Sequence, residues 1–165
     1  MSDNIYQTPS AKIENKTESN GSIIKGALWG SLTDIVASTA LGFVFGVVYM
    51  IILVSDGLSE EEIVNALSEF DLTSPFGLTA TILGLSISFF AGYIGAKKSG
   101  GNILIVAGII CVSSNLFALA MSDGLYTVTE NAILTMLTVA AILGGAMFWS
   151  SQADKSTISK RNNEE

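Results

Sequence analysis

The sequence predicts an all-α, polytopic membrane protein: a four-transmembrane-helix bundle with one short amphipathic helix at the interface. Three observations carry this expectation. Apolar residues make up 49% of the 165 residues, the mean hydropathy is +0.53, and the apolar residues come in blocks rather than in alternation. Four blocks, about 23–54, 76–96, 103–121 and 131–150, each reach the roughly 20 residues that a hydrocarbon core of about 30 Å requires. Strands with open edges are excluded at that depth, because lipid leaves their backbone groups unpaired. Third, all eight basic residues fall on one side once the blocks are threaded through a bilayer.

Residues 1–22 are rich in Asn, Ser, Thr and mixed charge and hold no apolar core. They read as a disordered tail and not as a signal peptide. The first block carries a column of small residues at every fourth position: Gly26, Gly30, Asp34, Ser38, Gly42 and Gly46. Such a stripe lets two helix backbones approach closely, as in Gly-x-x-x-Gly pairs. Helix 2 holds a matching column, Ala80, Gly84, Ser88, Gly92 and Ala96. The expected arrangement is helix 1 against helix 2 along both columns, so that leucine at Gly42 or Ser88 would prevent folding. Spare stripes leave room for self-association or for another membrane protein as partner, alongside the lipid bilayer itself.

Between these helices, Ser59-Glu60-Glu61-Glu62 has capping-box spacing. Ile63, Leu67 and Phe70 then share one face, which predicts a surface helix over 59–70, ended before Pro75. Lys97-Lys98-Ser99-Gly100-Gly101-Asn102 makes a tight turn, and helices adjacent in sequence are expected to pack together. Ser55-Asp56-Gly57-Leu58 and Ser122-Asp123-Gly124-Leu125 hint at two parallel hairpins, although Asp-Gly also simply punctuates loops. Residues 152–165 read as a second tail, leaving 23–151 as the transmembrane domain.

Lys12, Lys16, Lys25, Lys97, Lys98, Lys155, Lys160 and Arg161 flank one side. The opposite connections hold Asp56, Glu60, Glu61, Glu62, Glu69, Asp71, Asp123 and Glu130 and no base. The positive-inside rule then puts both termini in the cytoplasm, in the manner of a multi-pass protein of a bacterial inner (plasma) membrane. Trp29, Tyr93 and Trp149 would sit at the inner interface, and Tyr49, Phe76 and Tyr126 at the outer one. The net charge of -7 gives no basic stripe for nucleic acid. With no histidine and a single cysteine, Cys111, in an apolar block, no Cys/His metal site or disulfide is expected. No cofactor is implied, and no nucleophile–base pair or phosphate loop suggests an enzyme.

Asp34 is the residue that needs an explanation. It lies nine residues past Lys25, roughly 13 Å along the axis, where a charge costs up to about 2.5–3.5 kcal/mol. Structurally it can bond to hydroxyls on a neighbouring helix, with Ser38, Ser88 and Ser114 among the candidates. Functionally it is the centre of a candidate ion or proton site with Ser38 and Asn115. Asn115, mid-helix, also reads as an interhelical hydrogen-bonding residue.

Two stretches resemble known families. Ala91-Gly92-Tyr93-Ile94-Gly95-Ala96-Lys97-Lys98-Ser99-Gly100 is similar to the helix-2 end of small uncharacterised bacterial four-helix membrane proteins, which implies no activity. Asp34-Ile35-Val36-Ala37-Ser38-Thr39 resembles the helix-1 segment of small multidrug-resistance transporters. That resemblance implies a single membrane acid, here Asp34, exchanging protons for cationic substrates. The acid is normally glutamate there, and the later aromatic motif of that family is missing here. The sequence thus points first to a packing, assembly or accessory subunit, and second to a small proton- or cation-coupled transporter using Asp34.

Overall fold

A computed structural model describes residues 21–68, 72–121 and 127–162. Residues 1–20 of the expected tail 1–22, Phe70 of the surface helix and Tyr126 lie outside the described residues, as does the second Asp-Gly pair. The elements are α1 (Ile23–Ser55), α2 (Glu60–Ser68), α3 (Pro75–Lys98), α4 (Ile103–Met121) and α5 (Val128–Asn162). Stretches of α1, α3, α4 and α5 are each long and apolar enough to cross a membrane. The protein is a polytopic four-helix bundle with one short amphipathic helix, as its sequence predicts.

Local chemistry sets the ends of each helix. Ser22 caps α1 by accepting a hydrogen bond from the Lys25 amide at 3.1 Å. At the other end Gly57 takes φ +81°, and Leu58 N donates to Leu53 O at 3.3 Å, a Schellman turn that glycine alone adopts without strain. Ser59 and Glu62 form the expected capping box of α2, with Ser59 N donating to Glu62 Oε2 at 2.8 Å. Ser74 caps α3, with Pro75 in the first turn.

The fourth transmembrane helix departs from the expected 131–150 at both ends. Thr127 N donates to Glu130 Oε2 at 2.8 Å, and Glu130 N to Thr127 Oγ1 at 3.3 Å. This second capping box starts α5 at Val128. Beyond residue 150 no glycine or proline interrupts the chain, and the helix runs on to Asn162.

The core lies toward the end of the bundle that carries the basic residues. There α3 packs between α1 and α5, while α4 touches all three; α1 and α5 make no contact among the described residues. Ser22 N donates to Lys98 O at 3.0 Å, joining the start of α1 to the end of α3. A Cβ on Gly26 would stand 2.7 Å from Gly95 O, so the two backbones are in contact. The buried Ile110 of α4 fills the hollow left by Gly30 and Gly95. Lipid offers no hydrophobic drive between helices, so this interdigitation supplies the attraction through dispersion.

The tightest approach joins α3 to α5, parallel helices that are not sequence neighbours. Gly92 lies directly on the carbonyl of Ile142, and Gly145 on that of Phe89. Gly92, expected to face helix 1, serves α5 instead. Cys111 is buried in the core.

The small-residue columns do not zip along their whole length. Around Gly42, Gly46 and Gly84, expected in the seam, a Cβ would meet no atom within 4 Å. The gap between α1 and α3 is filled farther along by aromatic rings. Phe76 lies 5.1 Å from Phe45 and 4.9 Å from Tyr49, centroid to centroid. Gly42 thus borders open space and not the seam in which spacing alone would put it.

Candidate functional site

Asp34 sits where the seam stops being closed. Gly30 and Gly26, one and two turns earlier on α1, are sealed against α3 and α4. Asp34 itself is 4% exposed, and Ser88 of α3 is 5% exposed. Ser88 Oγ donates to Asp34 Oδ1 at 2.8 Å. Both residues belong to the two columns, so facing stripes place a hydroxyl directly opposite the acid. A hydrogen bond to a charged group contributes about 1.5–3 kcal/mol, which offsets much of the cost of placing the carboxylate in hydrocarbon.

From Asp34 a cavity of about 500 Å³ extends toward the opposite, acidic end of the bundle. It exists because Gly42 and Gly84 lack side chains where the helices have diverged. Ser38, Gly42 and Phe43 line it from α1, Gly84 and Ser88 from α3, Ser114, Phe117 and Met121 from α4, and Thr138 from α5. The walls are mostly hydrocarbon and aromatic, with the acid and a few hydroxyls gathered near the floor. A largely apolar cleft of this size with a few convergent polar groups is the ordinary form of a small-molecule site.

Among the described residues, no basic one lines the cavity. Lys97 and Lys98, the bases that could reach toward Asp34, are held elsewhere. Lys97 Nζ lies 5.7 Å from the centre of the Trp149 ring and Lys98 Nζ 5.1 Å from that of Trp29, both cation–π contacts at the closed end. Tyr93 packs edge-on to Trp149 at 5.4 Å, within the aromatic belt expected at this end.

Ser38 shares the cavity with Asp34. Asn115 does not. Its Nδ2 donates to Cys111 O on its own helix at 2.8 Å, and it lines a separate hollow of about 80 Å³ against α5. The polar link between α1 and α4 is instead Ser31 with Ser113, 2.7 Å apart. Ser113 also donates to Ile110 O at 3.1 Å, so Ser31 is the donor of the pair. Thr138 was not anticipated in this site, and no periodicity marks it, since α5 carries small and polar residues on several faces.

The fold and site define a polytopic helical bundle with a membrane-embedded acid at the floor of a cavity. No family model, curated protein or solved structure matches the chain. Function is therefore argued from this site.

Proposed function

We propose that the protein binds a cationic solute at Asp34, as a small cation- or proton-coupled transporter or as the binding subunit of one. One observation carries the reading: Asp34, bonded across the seam to Ser88, also lines a 500 Å³ cavity that no basic residue among those described lines. A carboxylate in hydrocarbon attracts a cation strongly, because the local dielectric is low. The apolar walls suit a ligand that is itself partly apolar. With the basic end in the cytoplasm by the positive-inside rule, the cavity extends toward the other side of a bacterial inner membrane, and the Gly26–Gly95 seam closes the cytoplasmic side.

The test is calorimetric titration of the protein in lipid nanodiscs with 2-phenylethylammonium and with its N,N,N-trimethyl analogue, empty nanodiscs subtracted. At least one should bind, and Asp34→Asn should weaken it tenfold or more while the protein stays monodisperse, since Ser88 can still donate to the amide oxygen. Equal affinities for native protein and variant, or no binding at all, would remove the reading. An assembly role draws on a different observation, the open space over Gly46 on α1. It predicts that Gly46→Leu changes the oligomer size in mild detergent and leaves ligand binding intact.

A further inference from the structure

Among the buried side-chain atoms described, the Ser114 hydroxyl has no hydrogen-bond partner. Ser114 is 5% exposed and lines the same cavity as Asp34. Its isolation is unusual for this chain. Thr33 donates to Trp29 O, Thr39 to Ile35 O, Thr81 to Gly77 O and Ser86 to Ile82 O, each bonding back one turn on its own helix. Ser113, next to Ser114, bonds both to its own helix and to Ser31. A buried hydroxyl left unpaired is costly, and a ligand that pairs it gains that difference on binding.

Asp34 also keeps an acceptor in reserve. Ser88 occupies Oδ1, and a carboxylate has two oxygens and about four lone-pair positions. The cavity thus offers acceptor positions on Asp34 and, when Ser114 turns its covered Oγ toward the ligand, a further acceptor there, with hydrocarbon and aromatic wall above. Resting on the cation reading, we infer that the ligand is a protonated amine with at least two N–H donors and an apolar body. One N–H meets the free acceptor positions of Asp34, and a second meets Ser114 Oγ. A quaternary ammonium of the same charge and apolar body can satisfy the Coulomb attraction and stack on Phe43 or Phe117, but it has no hydrogen to give. A site built to hydrogen-bond its ligand rejects the analogue lacking the donor far more sharply than an apolar pocket rejects a difference of size. Ser114 is therefore the residue that sets specificity and Asp34 the one that sets affinity.

The two ligands already named separate these roles. In nanodiscs the native protein should bind 2-phenylethylammonium about tenfold tighter than the trimethyl analogue. Ser114→Ala should cut that preference to about threefold or less by weakening the primary amine alone. The variant should melt no lower than the native protein, since it loses an unpaired group. If the native protein binds both ligands equally, or Ser114→Ala weakens both in proportion, the amine assignment is wrong. In that event Asp34→Asn still decides the broader reading: loss of both ligands keeps the cation site, and unchanged binding of both removes it as well.

Discussion

At the basic end of the bundle Gly26, Gly92, Gly95 and Gly145 bring backbones into contact, whereas toward the acidic end Gly42, Gly46 and Gly84 meet nothing. The residue type is the same in both regions, and in α1 even the four-residue spacing is the same. What differs is the company they keep. In the closed seams Gly26, Gly92 and Gly145 each face a carbonyl, and Gly30 and Gly95 the branched side chain of Ile110, whereas Gly108 of α4 meets nothing. At the open end α1 and α3 are separated by the rings of Phe45, Tyr49 and Phe76, and the missing side chains leave volume. A small residue in a membrane helix permits close approach but does not compel it. Asp34 lies at the boundary between the two outcomes, one side sealed and the other hollow.

The contrast breaks most visibly at the α3–α5 contact. Gly92→Leu or Gly145→Leu puts a side chain where a carbonyl already stands, with no flexible neighbour to yield. Overpacking of that kind is expected to cost about 3 kcal/mol or more, enough to unfold a marginal bundle. Size-exclusion profiles and unfolding in sodium dodecyl sulfate should show aggregated or unfolded protein for both variants. A monodisperse, native-like Gly145→Leu protein would mean that α5 does not seat on α3 as described.

The open end should answer in the opposite way. Gly42→Leu fills existing space, so its effect on stability should stay within about 0.5 kcal/mol. The same side chain would occupy part of the 500 Å³ cavity, and affinity for 2-phenylethylammonium should fall tenfold or more. A variant that is folded but no longer binds would separate the two halves by experiment. A Gly42→Leu protein that unfolds like Gly145→Leu would erase the distinction.

Much of this was legible in the residues, and the rest was hidden for identifiable reasons. Helix α4 begins and ends where its apolar block does, because Asn102 and the polar run after Met121 bound it sharply. The start of α5 is also marked in the sequence, since Thr127 and Glu130 have the same spacing as Ser59 and Glu62, but the apolar block alone begins three residues later. Asp34 and Ser88 could be matched because they occupy facing columns. Asn115 could not be placed, since a polar residue in an apolar helix does not say which neighbour it faces, or that it will turn back to its own carbonyl. The α3–α5 pairing and the cavity were beyond the sequence for one shared reason. Small residues occur on every helix, and Gly26 and Gly42 look alike until their neighbours are known.

The smallest test asks whether the open end can loosen without disturbing the closed one. Helix α2 is attached there by a short connection and contacts α1 alone among the described helices. Its first turn is held by the Ser59–Glu62 capping box, and the bonds from Ser59 N and Oγ to Glu62 Oε2, both 2.8 Å, hold the Glu62 carboxyl below the ordinary glutamate range. A carboxyl lowered on folding contributes stability that is fully present above its unfolded pKa and is lost as the pH falls through its folded one. Acidification through that low range should therefore fray α2 first, seen as faster amide exchange at Glu62 and Ile63. Amides of α3 around Gly92 and Ala96, in the closed half, should keep their protection over the same interval. Glu62→Gln should retain part of the cap through its amide oxygen and remove the pH dependence. Loss of protection in α3 together with α2 would show that the two ends unfold as one unit and that the hollow half is not mechanically independent of the sealed one.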